Sequence, residues 1–526
     1  MTVTRANTGR PWRFHASLAL TCVIGVGLLH WPTLFLGVEP DTLLAIRPWS
    51  SHELREALTG TWLFPTVDFY HRPLATLWFA ADFTAVGLNS RALHGVSLLL
   101  LAATAWLLLE WIWAEAGAWT GVAVLTMYLT HPQLLDSTIA GAQYQFHMAP
   151  LVIVTATLLL WRHRRHTATL TGWWPMLLLP CLGFYFKEDT IVVVPAMLVL
   201  QTVRARRFGD VPPPSRSLLW ATLAIVVVLG GIRWVLFPHV ETLDGLTGRL
   251  NLEGLRIAAY APARAAFAMF ARAELLPGAT AFVLLLQVAG GRAAWRRPTS
   301  PEGWIWMCGL VLLVATCLPL TITAEIRSTR VHLAVLSAAL MLGAGGAALW
   351  NLVATAGRAS RIVTAGVLIA GSMTQWQTQR LARVERFEPC ATEQLTANDY
   401  AQHWPEITPD LRDWLRDMPR RCSDGHLPTP EDDLASIRWS SDARHVVLVH
   451  RSARRADLVF APPTQDTAVI VIVDGASQAM TLSAHAPTLS LTLAPTWRTW
   501  LRRDYRVDVY DARGGSLPAL SAVRVK

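Results

Sequence analysis

The stretch Cys181–Leu200, CLGFYFKEDTIVVVPAMLVL, places Lys187, Glu188 and Asp189 between two hydrophobic runs. Lys187 is one of two lysines against 44 arginines, the other being Lys526 at the end of the sequence. An ammonium group is costly in or beside a bilayer, so an ionisable residue there is a functional hypothesis by default. The plain alternative is a short, wet turn between two spans. Outward from this turn the chain carries about eleven runs that approach the ~20 apolar residues needed to cross a hydrocarbon core. They are Phe14–Leu36, Leu93–Ile112, Ala118–Thr130, Met148–Trp161, Trp173–Phe186, Thr190–Val203, Leu218–Phe237, Leu276–Gly290, Trp304–Leu320, Val331–Val353 and Ile362–Met373.

Composition agrees with that reading. Of 526 residues, 52% are hydrophobic and 16% charged, and the mean hydropathy is +0.34. The first run is read as a retained span, because no small-residue cleavage site follows it and further spans do. Several of the 24 tryptophans, among them Trp31, Trp111, Trp113, Trp173, Trp174 and Trp234, fall near run ends, where indoles anchor at the interface. The expectation is an all-α polytopic membrane protein.

Arginine placement supplies an orientation. Clusters at Arg5/Arg10/Arg13, Arg162/Arg164/Arg165, Arg204/Arg206/Arg207, Arg292/Arg296/Arg297 and Arg358/Arg361 all fall on one side of the eleven-run scheme. The positive-inside rule makes that side cytoplasmic, with the N-terminus, in a cytoplasmic (inner) membrane. It also accounts for the net charge of +9 without a nucleic-acid partner, since the charge is dispersed over short loops.

The opposite side carries longer segments of mixed sign: 37–92, 131–147, 187–189, 238–275, 321–330 and everything after 374. Basic residues placed there oppose the insertion bias and call for a use. Arg72, Lys187, Arg327 and Arg330 suit an anionic ligand, arginine as a planar fork and lysine as a point charge. The plain alternative is that they bind lipid headgroups or cap helices. The second of these segments contains Asp136, and its Gln143, Tyr144, Gln145 and His147 suit a sugar ring or form an ordinary polar loop. Asp82 either lines an outer cavity or faces water, and His94 is either a site residue or a packing histidine.

Three outer motifs resemble a known family. Residues 68–100, opening DFYHRPLATLWF, look like the YRPL-containing segment of GT-C superfamily membrane glycosyltransferases, the protein-mannosyltransferase-like enzymes that use dolichyl- or polyprenyl-phosphate sugars. FYFKEDTIVVVPAMLVL (184–200) is similar to their Lys-Glu segment. AEIRSTRVHLAVLSAALMLGAG (324–345) resembles a stretch near their last spans. The motifs occur in the family's order. RSTRVHLAVLS, however, stands where the family has an aromatic-rich RYLYLPS.

The resemblance implies a GT-C-like core, about residues 1–375, with a long first outer loop (37–92) bearing an essential acid. It implies transfer of a sugar from a polyprenyl-phosphate donor by single displacement. Such a step needs a carboxylate to take the acceptor's proton and fixed positive charge at the departing phosphate. The carboxylate expected here is Asp41, with Asp68 second. Glu39 is separated from Asp41 by Pro40, which holds Glu39 extended and disfavours a shared proton. His71, Arg72, Lys187, Glu188, Arg327 and Arg330 are the expected substrate-binding set, with Glu188 orienting Lys187 or an arginine. No metal site is read from the sequence and no cofactor is implied, except a divalent ion if the donor is a pyrophosphate. Membrane lipids are expected partners, and the acceptor is undetermined.

Beyond about Met373 the texture changes. Residues 376–435 read as a polar helical connector. From 436 to 526, short alternating runs such as TAVIVIVDG and YRVDVYDARG read as strands of a small, mainly-β extracytoplasmic domain. Cys390 and Cys422 are expected to pair as a disulfide in an oxidising compartment. The alternative function is a non-catalytic membrane protein that binds or transports a lipid-linked anion. A transporter, however, should carry inverted repeats, and none is evident.

Overall fold

The computed structural model describes residues 11–35, 45–46, 51, 54–55, 58, 72–86, 90–134, 145–236, 276–296, 299–318, 331–354 and 357–385, and strands between 446 and 525. Among its described residues the chain is mostly helical. Its helices are α1 (Trp12–His30), α2 (Pro73–Val86), α3 (Ser90–Ala116), α4 (Ala118–Leu129), α5 (Gln145–Arg164), α6 (Leu170–Phe186), α7 (Val193–Phe208), α8 (Arg216–Leu236), α9 (Leu276–Arg296), α10 (Pro301–Cys317), α11 (His332–Val353) and α12 (Arg358–Glu385).

Each apolar run of the sequence overlaps one of these helices. Among the described residues four helices are long and apolar enough to cross a membrane: Trp12–His30, Arg91–Ala116, Gln145–Arg164 and His332–Val353. A fifth is added if Ala281–Arg296 and Pro301–Cys317, bent by 111° at their junction, count as one span. The outward faces carry exposed Trp12, Leu28, Val227 and Val288, as expected of surfaces that meet lipid. These features suggest an integral membrane protein.

Local chemistry sets the helix ends. Thr169 caps α6 by accepting from the Gly172 amide, and Ser300 caps α10 by accepting from the Gly303 amide, with Pro301 at the first helical position. Gly209 ends α7 in the left-handed conformation at φ +65°. Lys187 stops α6 by turning extended, and Glu188–Val192 form a 3-10 turn before α7 begins. The run expected over Thr190–Val203 therefore starts as a tighter turn. Helix α12 continues through the expected core boundary at residue 375, because TQWQTQRLARVE contains good helix formers and no Gly or Pro.

Helix α11 is the centre of the bundle: residues 332–349 are all buried. Its small residues permit close approach. A β-carbon on Gly343 would collide with the Val124 backbone of α4, and one on Gly345 with the Leu286 carbonyl of α9. Small residues at the contact are how helices pack where no hydrophobic effect drives them together.

The helices share two chemically distinct ends. At one end the C-termini of α3, α5 and α7 meet, since Glu115 contacts Arg162, Arg165 and Arg204. At the other, the N-terminus of α5, the α6–α7 turn and the N-terminus of α11 meet. Helix α5 spans between them, with 20 residues or about 30 Å at 1.5 Å per residue.

The C-terminal strands are β1 (Val446–Ser452), β2 (Arg455–Phe460), β3 (Thr467–Val473), β4 (Ala476–Leu482), β5 (Thr488–Thr492), β6 (Tyr505–Asp511) and β7 (Val523–Val525). They pair antiparallel in two sheets ordered β1-β2-β5 and β4-β3-β6-β7.

Candidate functional site

Arg72 lies just before Pro73, the first residue of α2, and is 6% exposed. Its Nε–H and Nη2–H donate to the two carboxylate oxygens of Glu188, each at 3.0 Å. Such a fork is stronger and more directional than a point-charge contact. The Arg72 guanidinium carbon lies 5.0 Å from the Phe146 ring centroid, and Lys187 Nζ lies 5.5 Å from the same centroid. Phe146, the second residue of α5, thus faces cations from two distant segments, in range for attraction to its ring quadrupole.

Neighbouring contacts hold Phe146 in place. Phe79 meets it edge-on at 6.2 Å. The Trp78 indole N–H donates to Gln145 Oε1 at 2.5 Å, and Gln145 Nε2 donates to the Leu93 carbonyl at 3.1 Å. Trp78 also meets Phe186 edge-on. Asp82, one turn beyond Trp78, is buried rather than water-facing, and its Oδ2 has no hydrogen-bond partner. His94 is fully buried as well, in α3.

A second group adjoins the first. The His147 and His332 rings stack at 4.8 Å with an 8° interplanar angle. His332 Nε2 lies 3.6 Å from Asp189 Oδ2, an ion-pair distance but too long for a hydrogen bond. Both His332 nitrogens and Asp189 Oδ1 are buried without hydrogen-bond partners. Burial pushes the Asp189 carboxyl up to about 6; Lys187 and Arg72 pull it down and Glu188 pushes it up. The turn therefore presents a carboxyl whose charged form burial disfavours, beside two cations. Among the described residues no trio of His, Cys, Asp or Glu is placed to share a metal ion.

Of the expected substrate-binding set the structure brings together Arg72, Lys187 and Glu188, and Gln145 and His147, nominated for a sugar ring, adjoin them. Glu39, Asp41, Asp68, His71, Arg327 and Arg330 lie outside the described residues, as do Asp136, Gln143, Tyr144, Cys390 and Cys422. Phe146 and the Asp189–His332 contact are additions that the sequence reading lacks. The only available signal for Phe146 is its place at the start of a span next to His147.

The opposite end holds a buried cluster that the sequence also conceals. Glu115, 3% exposed at its side chain, lies 2.6 Å from Arg165, 3.0 Å from Arg204 and 3.4 Å from Arg162. Arg204 also forks onto Asp210 and lies over the Phe208 and Trp304 rings. Gln201 accepts from the Trp161 indole and donates to the Arg165 and Pro212 carbonyls, which pins the same loops together. No protein family, curated protein or solved structure matches this chain.

Proposed function

We propose that the protein is an integral membrane glycosyltransferase of the GT-C kind. It transfers a sugar from a polyprenyl-phosphate donor to an acceptor at the outer face of the cytoplasmic membrane. The observation that carries this reading is the convergence of Arg72 and Lys187 on Phe146, at the end of the bundle opposite the Glu115 arginine cluster. Taking the arginine-rich end as cytoplasmic puts Lys187, Arg72 and Asp189 on the outer side. There, fixed cations would stabilise the charge that builds on the lipid phosphate as the sugar departs.

The remaining elements of the reading come from the sequence: its apolar and alternating runs, its charge placement and its resemblance. They are about eleven spans, an extracytoplasmic β domain, a proton-accepting carboxylate (Asp41 or Asp68), and Arg327 and Arg330 as further phosphate ligands. A monophosphate donor would need no metal, whereas a pyrophosphate donor would call for a divalent ion. The test is incubation of the purified protein with a panel of polyprenyl-phosphate sugars, following transfer and donor hydrolysis. Turnover of one donor, lost in Lys187→Ala with weakened donor binding, supports the reading. No turnover of any donor overturns it.

One observation favours a second reading, a non-catalytic protein that binds or moves a lipid-linked anion. Glu188 occupies the Arg72 fork, and a closed ion pair can serve as a pin between α2 and the α6–α7 turn. Donor binding without transfer would select that reading.

A further inference from the structure

We propose that Asp189, backed by His332, is the carboxylate that takes the acceptor's proton, a role that rests on the transfer reading above and replaces Asp41 and Asp68 in it. Three observations carry this. The Asp189 side chain is 15% exposed and that of His332 0%, so Asp189 is the more accessible member of the pair. Both His332 nitrogens and Asp189 Oδ1 are buried without hydrogen-bond partners, and native structures seldom leave such atoms unmatched without a use. Glu188, the other acid of the turn, is engaged by the Arg72 fork, which separates the two acids into a positioning group and a reactive one.

The groups facing Asp189 come from each neighbouring element. Lys187 and Glu188 belong to its own turn, Arg72 precedes α2, and His332 opens α11 with His147 of α5 stacked behind it. In the proposed step the acceptor oxygen attacks the anomeric carbon and a new C–O bond forms. The bond from that carbon to the phosphate oxygen breaks, and its electron pair leaves with the lipid phosphate beside Lys187. The acceptor's proton passes to the Asp189 carboxylate and from there to solvent. His332 is a positioning residue: closing the 3.6 Å gap lets its Nε2–H donate to Oδ2 and hold the carboxylate toward the acceptor.

The experiment compares Asp189→Asn, Asp189→Glu, His332→Gln and Asp41→Asn with the unmodified protein on the donor panel. Asp189→Asn is expected to lower kcat by about 10²–10⁴-fold, the usual share of general-base catalysis. The donor KM should stay within about threefold, a split that also shows the variant has folded. Asp189→Glu should recover part of kcat, and His332→Gln should move the acidic limb of the pH profile. Turnover in Asp189→Asn within about threefold of the unmodified protein overturns the proposal, as does loss of turnover in Asp41→Asn alone. If no donor is turned over, the transfer reading fails and the pair is judged by infrared titration of the protonated-carboxyl band. A band lost in Asp189→Asn and displaced in His332→Gln upholds the coupling between the two residues; a band unmoved by His332→Gln overturns it.

Discussion

Glu188 accepts two hydrogen bonds from the Arg72 guanidinium, both 3.0 Å, so residues 116 apart in sequence are fixed edge to edge. The arginine side chain is 7% exposed and the glutamate 26%, so the pair sits at a boundary where one face stays wet. That setting avoids most of the desolvation cost of a fully buried pair while keeping the geometry of the fork. It also ties the start of α2 to the turn that carries Lys187 and Asp189.

A double-mutant cycle on this pair should return a coupling energy of about 1–3 kcal/mol, because contacting charged groups are not additive. Arg72→Lys should lose most of it, since an ammonium cannot reproduce the two parallel bonds. Thermal unfolding in detergent of Arg72→Ala, Glu188→Gln and the double variant measures this directly. Additive effects would show that the clamp is not a unit.

Stability should depend on pH through Asp189. Its carboxyl is raised from 3.8 to about 6, so the native state holds a proton that the unfolded chain gives up earlier. The stabilisation linked to this group is complete below about pH 4 and is lost as pH rises through about 6. The midpoint of thermal unfolding should therefore decline across that window, and Asp189→Asn should flatten the decline. An unchanged slope in the variant would place the titrating group elsewhere.

Glu115→Gln should be among the most damaging single substitutions at the arginine-rich end. It leaves Arg162, Arg165 and Arg204 facing one another without their shared carboxylate. Removing one partner from a buried ion cluster costs about 3–5 kcal/mol. Glu302→Gln, at a more exposed site bonded to Asn351, should cost about 1 kcal/mol or less. Parallel thermal melts of the two variants test the contrast.

Gly343→Val should destabilise the bundle by at least about 1–3 kcal/mol, the usual penalty for overpacking, because its side chain would meet the Val124 backbone. Gly366→Val provides the control, since a β-carbon there meets nothing within 4 Å. Comparable losses at both positions would mean that helix propensity, rather than the α4–α11 contact, decides the outcome.

How far the sequence could be read depended on where the signal lay. Apolar runs are local, so each showed up as a helix, although the 3-10 turn at Glu188–Val192 was hidden because its last three residues, Thr190–Val192, continue into the apolar run. Arg72 and Lys187 stand out because charge is rare in such surroundings. Phe146 does not, since one aromatic ring at the head of an apolar run carries no chemical mark. Glu115 is similarly concealed: it reads as a span terminus, and its partners Arg165 and Arg204 lie 50 and 89 residues further along. The Asp189–His332 contact depends on how α11 packs against the α6–α7 turn, which no local pattern encodes.

The close approach at Gly343 has a bearing on chemistry far from it. Gly343 and His332 belong to the same helix, eleven residues apart and therefore about 16 Å at 1.5 Å per residue. Seated against a neighbour's backbone at that depth, α11 cannot slide or rotate freely along its axis. The imidazole at its head inherits that fixed reference point, so the alignment of the reactive cluster is set by a contact buried three turns below it.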